Sequence, residues 1–264
     1  YLPNVQVQNY LCKTNTVSST AFRGFGGNQG MMAIKNIIDN ISRHLEKDPA
    51  EVRKNNFYQK KNKNITAIIP ARGDSKGIQN KNIKEFAGKP LIVHTIEYAL
   101  ESQLINEIVV STDDSKIAKI AQDSGTRTIK RPPNLVTDTA TTESAIEHYI
   151  NSAKQKPDII AMLQTTSPLR PKGSLDRALR HFQKGGYDSL LSICPTHHFF
   201  WRVKDDDTPY SEYDYLNRPC RQDLNRENMR FVENGSIYIF TRKHFEKTGN
   251  RLGGKIGYVE WPEE

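Results

Sequence analysis

From Ile65 onward the chain alternates between short apolar runs and amphipathic stretches, and this alternation limits its fold more than any other feature. Residues 65–69 form a short apolar run that suits a strand covered on both faces. Residues 91–101 carry apolar side chains at helical spacing. The pattern continues with predicted strands at 107–111, 158–163, 189–194 and 233–240 and predicted helices at 115–123, 142–153 and 174–182. Asp113 and Asp114 are placed to cap the helix at 115–123. This alternation predicts an α/β fold with an open, mostly parallel sheet and helices on both faces.

A segment of different character precedes this pattern. Residues 1–59 have an extended start, a Gly-rich stretch at 21–30 and helical periodicity from Met31 to Leu45. A second short helix is predicted after Asp48, because Asp at the N-cap and Pro at the first helical position favour a helix start. We therefore divide the chain into a small α-rich segment, 1–59, a Lys- and Asn-rich linker, 60–64, and a domain, 65–264.

The composition excludes several classes of protein. No apolar run approaches the ~20 residues of a membrane helix, and the first residues lack the features of a secretory signal. Cys12, Cys194 and Cys220 form neither a CxxC motif nor a disulfide framework, which indicates a reducing, cytoplasmic environment. The sequence thus predicts a cytoplasmic protein without a membrane partner.

The formal net charge of +8 favours an anionic partner. The excess lies in short clusters, such as residues 60–63 and 218–230, without interleaved aromatic residues. We therefore expect an anionic small molecule and no nucleic acid. Binding to nucleic acid would instead predict an affinity that falls steeply with salt.

The loop after the first predicted strand combines glycines with cations. It reads Ala-Arg-Gly-Asp-Ser-Lys-Gly-Ile-Gln-Asn-Lys-Asn over residues 71–82. Backbone N–H groups at glycine, together with Arg and Lys, suit a polyphosphate. Neither the GxxxxGK[ST] motif nor the dinucleotide fingerprint is present. On composition alone, the alternative to a phosphate-binding loop is a solvated basic loop that binds no ligand.

Four further blocks follow this loop in order. They read Val-Ser-Thr-Asp-Asp at 110–114, Arg-Pro-x-x-Leu-x-x-Asp-Thr at 131–139, Leu-Gln-x-Thr-Ser-Pro-Leu-Arg at 163–170 and Glu-Asn-Gly-Ser-Ile-Tyr at 233–238. Together the five blocks resemble the acylneuraminate cytidylyltransferases, the CMP-sialic acid synthetases, over residues 64–264. The resemblance implies a nucleotide-diphospho-sugar transferase-like fold that transfers CMP from CTP to a sialic-acid-type (nonulosonic) sugar and releases pyrophosphate.

The resemblance also implies roles for matching positions. Catalytic roles fall on Arg72, Lys81 and Arg221. Substrate-binding roles fall on Lys76, Asn82, Arg131, Thr142, Gln164 and Tyr238. In that family the loop cations meet the phosphates, Asn82 and Arg131 address the cytosine and ribose, and Gln164 and Tyr238 serve the sugar. Two alternatives stay open from the residues themselves: Thr142 as a helix cap, and Tyr238 as a core residue.

This chain departs from the family at two places. Cys220 precedes Arg221 where relatives often carry a second Arg, which removes a cation from the acceptor side. The resemblance implies Mg²⁺ held by an Asp pair in a Ser-x-Asp-x-Asp strand, but the sequence stops at Glu264, just before it. From the missing pair we expect little turnover, and a non-catalytic CTP-binding or structural chain is the second hypothesis. The resemblance further implies a homodimer formed through an arm near 195–230, and it leaves the particular nonulosonic acid open.

The N-terminal segment resembles an unrelated family. Residues 12–16, 20–30 and 48–58 are similar to the molybdenum-binding subunit of xanthine dehydrogenases and aldehyde oxidases, which implies Arg23 beside the cofactor and Phe25 against the substrate ring. A segment of this size cannot enclose a large organic cofactor. We interpret it as a fragment fused to the transferase, with molybdenum oxidoreductase activity as a remote alternative.

Overall fold

The protein, seen here as a computed structural model, divides into two compact units, Tyr1–Asn62 and Lys63–Glu264. The structure describes residues 27–56, 63–73, 77–137, 140–220, 222, 226 and 229–262. The Gly-rich positions of the N-terminal segment, including Arg23 and Phe25, lie outside this set.

Within its described residues, 27–56, the first unit has two helices, α1 (Gly27–His44) and α2 (Pro49–Asn56). The Asp48 carboxylate accepts a hydrogen bond from Ala50 N at 2.8 Å, which confirms the predicted N-cap. An ion pair between Arg53 and Asp39 joins the helices. Most apolar side chains of α1 are exposed, and among the described side chains of this unit only Ser42 and Val52 are buried.

In the part of the second unit that the structure describes there are eleven strands and five helices. The strands are β1 (Ile65–Pro70), β2 (Glu85–Phe86), β3 (Lys89–Pro90), β4 (Glu107–Thr112), β5 (Arg127–Lys130), β6 (Ile159–Leu163), β7 (Ser189–Thr196), β8 (Trp201–Val203), β9 (Pro209–Ser211), β10 (Arg230–Thr241) and β11 (Ile256–Glu260). The helices are α3 (Leu91–Leu100), α4 (Ser115–Asp123), α5 (Thr142–Ser152), α6 (Ser174–Gly185) and α7 (Arg242–Thr248). Short 3-10 turns at Lys81–Ile83 and Pro133–Leu135 complete it.

Seven strands form one sheet in the order β11-β7-β10-β6-β1-β4-β5. Strand β1 pairs in parallel with β4 and β6, β4 with β5, and β7 with β11. Strand β10 runs antiparallel between β6 and β7. The predicted α/β fold with a mostly parallel sheet is confirmed.

The sheet separates two apolar layers. Ile69 packs on one face with residues of α3, α4 and α6, and Ile68 packs on the other with residues of α5 and α7. Both isoleucines are fully buried. This explains why the first predicted strand has an apolar run rather than strict alternation.

Several elements differ from the sequence prediction. Strand β10 begins at Arg230 rather than at residue 233, and its register shifts between Glu233 and Tyr238, where Gly235 has φ +70°. Strands β5, β8, β9 and β11 and helix α7 were not predicted because they are short and largely exposed or polar. Among the described helices, none is both long and apolar enough to cross a bilayer.

Candidate functional site

The loop after β1 is anchored to β4 and to the start of α4. Ala71 N donates to Ser111 O at 2.9 Å, and Gly73 N donates to Asp113 Oδ1 at 3.0 Å. A Cβ at Gly73 would lie 2.8 Å from both Cβ and Oδ2 of Asp114, a separation too short for real Cβ contacts. Glycine at this position therefore lets the loop pass directly over the β4–α4 connection.

The two aspartates after β4 have different roles. Asp114 caps α4, because its Oδ1 accepts from Lys116 N at 2.6 Å and from Ile117 N at 3.0 Å. The same prediction is wrong for Asp113, whose carboxylate instead accepts from the Gly73 backbone. One carboxylate thus fixes the helix and the other fixes the loop.

A cavity of about 350 Å³ lies at the carboxyl ends of β1 and β6. Its lining includes six of the nine predicted site residues: Arg72, Lys81, Asn82, Arg131, Thr142 and Gln164. Pro70, Ala140, Thr141, Thr165 and Thr166 complete the lining. Ligands of open α/β sheets bind beyond the carboxyl ends of the strands, and this volume suits a small molecule. Three of the described lining residues, Arg72, Lys81 and Arg131, are cationic, and none of the described lining residues is acidic.

Asn82 ties the loop to the end of β6. It is 4% exposed, its Nδ2 donates to Arg72 O at 2.8 Å, and Thr165 Oγ1 donates to its Oδ1 at 2.6 Å. A side-chain amide has two donors and two acceptor lone pairs, so these bonds use half of its capacity. Asn82 can therefore hold the loop and still offer hydrogen bonds to a ligand.

Arg131 is a cation held in the cavity wall. It is 7% exposed, and its guanidinium donates to Ser111 O at 2.9 Å and to Ser111 Oγ at 3.3 Å. Burial lowers the pKa of Arg131, the Asp113 carboxylate opposes that shift, and Arg72 adds to it. Because arginine starts from a very high pKa, it stays charged and favours an anion beside Arg72.

The start of α5 decides between two interpretations of Thr142. The N-cap is Thr141, whose Oγ1 accepts from Ser144 N at 3.2 Å. Thr142 is the first residue of the helix and lines the cavity. The capping alternative for Thr142 is therefore wrong, and its hydroxyl group belongs to a cavity that also faces the positive end of a helix.

Gln164 follows β6 and packs against the turn inside β10. A Cβ built on Gly235 would lie 2.9 Å from Gln164 Oε1 and 4.0 Å from the Tyr238 hydroxyl oxygen. Gly235 also has φ +70°, a conformation that side chains disfavour. The amide of Gln164 thus occupies space that only a glycine at this turn leaves open.

Tyr238 lies beside Gln164 but is not part of the cavity lining. Its ring is 2% exposed in the core, its hydroxyl group donates to Glu233, and the Arg251 guanidinium lies 4.6 Å from its ring centre. Burial raises the pKa of Tyr238 to about 12, Glu233 adds to the shift, and Arg251 opposes it. The phenol therefore stays neutral near pH 7. Its position is compatible with both interpretations of the residue, as part of the core and as part of a sugar pocket.

Two predicted residues, Lys76 and Arg221, lie outside the described residues. Sequence reasoning missed Thr165, which fixes Asn82, and Gly235, which makes room for Gln164. Both were visible inside the blocks at 163–170 and 233–238, but their roles depend on contacts between distant segments.

The sequence model of the cytidylyltransferase family matches residues 66–243. A second model, that of the molybdopterin cofactor-binding domain, matches residues 1–57. Both resemblances inferred from the motifs are confirmed at this level.

Individual relatives agree with the first match. N-acylneuraminate cytidylyltransferase A from Danio rerio is 38% identical over 232 residues, which cover 86% of this chain and 53% of that protein. Pseudaminic acid cytidylyltransferase from Campylobacter jejuni is 34% identical over 189 residues, which cover 70% of this chain and 71% of that protein. The chain spans about half the length of the fish N-acylneuraminate cytidylyltransferases it matches.

A solved structure shares the fold. CMP:2-keto-3-deoxy-manno-octonic acid synthetase complexed with CTP superposes with a TM-score of 0.56 at 17% identity, over 76% of this chain and 90% of that one. At this identity the likeness supports the fold alone. The family match over most of the second unit, with relatives above 30% identity, shows that the chain belongs to the cytidylyltransferase family.

Proposed function

We propose that residues 63–264 bind CTP in the cavity beyond β1 and β6 and transfer its CMP group to a nonulosonic sugar. The observation that carries this proposal is the convergence of Arg72, Lys81 and Arg131 with Asn82 and Gln164 on one cavity. Cations suit a triphosphate, and neutral amides suit a base or a sugar. The substrate class is inferred from the names of two relatives, an N-acylneuraminate cytidylyltransferase and a pseudaminic acid cytidylyltransferase.

In the proposed reaction the anomeric hydroxyl oxygen of the sugar forms a bond to the α-phosphorus of CTP. The bond from that phosphorus to the bridging oxygen breaks, pyrophosphate leaves with the electron pair, and the hydroxyl proton is released. Arg72 and Lys81 neutralise the charge that grows on the phosphates, and Gln164 orients the sugar. Such transfer depends mainly on alignment and on electrostatic stabilisation.

The residues described here do not assemble a site for the Mg²⁺ ion that the family resemblance implies. Among them, no three His, Cys, Asp or Glu side chains come together as metal ligands. The carboxylates of Asp113 and Asp114 already accept backbone hydrogen bonds from the loop and from α4. We therefore assign no step of the reaction to a metal held by these residues.

Removal of divalent metal tests this assignment. We expect CTP to bind the chain in the presence of EDTA, because the cavity cations contact the triphosphate without a metal ligand from the protein. Calorimetric titration with and without added Mg²⁺ measures the difference. Complete loss of CTP binding in EDTA would show that the cavity cations are insufficient.

Pyrophosphate release tests the transfer itself. Incubation of the full chain with CTP and N-acetylneuraminic acid is expected to release pyrophosphate and form the CMP-sugar at a low rate, because the described residues supply no carboxylate cluster for a metal ion. No release is expected with ATP or without the sugar. Pseudaminic acid, offered in parallel, distinguishes the two substrate types named for the relatives. CTP binding without any pyrophosphate would favour the second hypothesis, a non-catalytic CTP-binding chain.

We also propose that the arm contacts a second copy of the chain, as the family resemblance implies. The support is a group of exposed apolar side chains between β8 and the end of the arm, where Val203 is 65% exposed and Leu216 is 79% exposed. Exposed apolar patches of this kind often mark interfaces. Light scattering of the wild type and of Leu216→Glu tests it: the wild type is expected to be a dimer and the variant a monomer.

A further inference from the structure

Arg170 joins three separate segments through one guanidinium group. Its Nε donates to Ser236 Oγ at 2.9 Å, and its Nη2 donates to Ser236 O at 3.1 Å and also to Gln164 O. Its Nη1 donates to Thr95 Oγ1 at 3.1 Å, on α3. The side chain therefore links the end of β6, the turn within β10 and helix α3.

The two backbone segments that Arg170 links are the ones that locate the Gln164 amide. Gln164 begins at the end of β6, and its Oε1 lies against Gly235, next to Ser236. The turn is further fixed by Asn234, whose Oδ1 accepts from Ser236 N at 3.2 Å. A small shift between β6 and the turn would therefore move the amide relative to the cavity.

Only arginine has the geometry for this link. Its planar guanidinium carries five N–H donors in a fixed fork, whereas the lysine ammonium donates from a single point. The Arg170 guanidinium also lies 5.1 Å from the ring centre of Tyr98, whose hydroxyl group is 2.7 Å from Ser174 Oγ. Lysine at this position would keep the charge and lose the simultaneous contacts to β6 and β10.

We propose that Arg170 is a positioning residue, which holds the end of β6 and the β10 turn together so that the Gln164 amide is presented to the acceptor sugar. The sugar part of this statement depends on the function proposed above. Arg170 does not line the cavity, so its effect on CTP is expected to be small.

Kinetics of Arg170→Lys measure the effect on the acceptor. We expect kcat/KM for the sugar to fall at least about tenfold, the loss of about 1.4 kcal/mol of transition-state stabilisation, while the Kd for CTP changes less than about twofold. Arg180→Lys is the matched control, because Arg180 is exposed and forms a single surface ion pair with Asp176. An equal loss for CTP and sugar would overturn the proposal.

A double-mutant cycle with Gln164→Ala asks whether Arg170 acts through Gln164. If it does, Arg170→Lys has little further effect on the sugar kinetics once the amide is absent, so the two losses are not additive. Full additivity would show that Arg170 acts elsewhere and would overturn the proposal.

A third readout needs no turnover and separates this proposal from the proposed function. The side-chain amide of Gln164 gives an NMR signal pair, assigned by its disappearance in Gln164→Ala. We expect Arg170→Lys to shift or broaden that pair and Arg180→Lys to leave it unchanged, even if no pyrophosphate is ever released. If Arg170→Lys fails to fold, Ser236→Ala removes one of the four bonds and should shift the same pair. An unchanged pair in the folded variant overturns the proposal.

Discussion

The protein holds the Arg131 guanidinium in a fixed orientation before any ligand binds, because Ser111 accepts two hydrogen bonds from it. A charged group that is already in place needs no reorganisation when an anion binds, which is the efficient form of electrostatic stabilisation. Arg131 is also close enough to Arg72 for the two charges to raise each other's free energy. An anionic ligand between them relieves that repulsion.

Arg131→Gln is expected to weaken CTP binding by about tenfold to about a hundredfold. A hydrogen bond to a charged group contributes about 1.5–3 kcal/mol, and each 1.4 kcal/mol is about tenfold in Kd. Calorimetry measures the change. Arg127→Gln, which removes an exposed arginine that pairs with Glu107 at 2.7 Å, should leave the Kd unchanged. A folded Arg131→Gln protein with wild-type CTP affinity would contradict the prediction.

Tyr149 makes stability depend on alkaline pH. It is fully buried, its hydroxyl group donates to Glu107 Oε2 at 3.0 Å and lies 3.0 Å from Thr66 Oγ1, and burial raises its pKa to about 12. Between about pH 10 and pH 12 the unfolded chain loses this proton and the folded chain keeps it, so stability falls as pH rises. Urea unfolding should show a shallower alkaline loss in Tyr149→Phe than in the wild type. Tyr210→Phe, at an exposed position, should not change the slope.

At the scale of elements, two adjacent threonines at the start of α5 have different roles, one in capping the helix and one in lining the cavity. Thr141 accepts the capping hydrogen bond, and Thr142 lines the cavity without that role. Thr141→Ala should lower the free energy of unfolding by about 1 kcal/mol. Thr142→Ala should leave unfolding nearly unchanged and weaken CTP binding. Equal stability losses in the two variants would refute this division.

The loop after β1, residues 71–82, contains two glycines in different surroundings. A Cβ at Gly73 would collide with Asp114, whereas a Cβ at Gly77 meets nothing within 4 Å among the described atoms. Gly73→Ala is therefore expected to lower stability by about 1–3 kcal/mol, the usual result of inserting an atom into a filled space. Thermal unfolding of Gly77→Ala is the control and should be close to that of the wild type. A Gly73→Ala protein as stable as Gly77→Ala would mean that the loop does not pass over Asp114.

At the scale of the whole molecule, the fold class could be predicted because the buried strands and the helix starts have recognisable local sequence patterns. Four of the five residues at 65–69 in β1 are apolar, because both faces of the strand are covered. The N-cap residues Asp114 and Asp48 likewise mark the starts of α4 and α2 in the sequence. Strand β5 and the hairpin of β8 and β9 carry no such signal, because they are short and mostly exposed. Their pairing is determined by neighbours that are distant in sequence.

The sequence motifs predicted six of the residues that line the cavity, but not their arrangement. Arg72, Asn82 and Gln164 were found through motifs, yet the bond from Thr165 to Asn82 joins residues 83 positions apart. The contacts of Arg170 and Gly235 likewise depend on the packing of β6 against β10. Local patterns cannot show contacts of this kind, and the Asp113 cap was wrong for the same reason.

Calorimetric titration of the full chain with CTP is the most direct test of the central claim, that the cavity beyond β1 and β6 is a CTP site. We expect saturable binding at one CTP per chain, weaker binding of ATP, and a marked loss of affinity in Arg131→Gln but not in Arg127→Gln. A folded chain that shows no CTP binding, or that binds CTP equally well without Arg131, would contradict it.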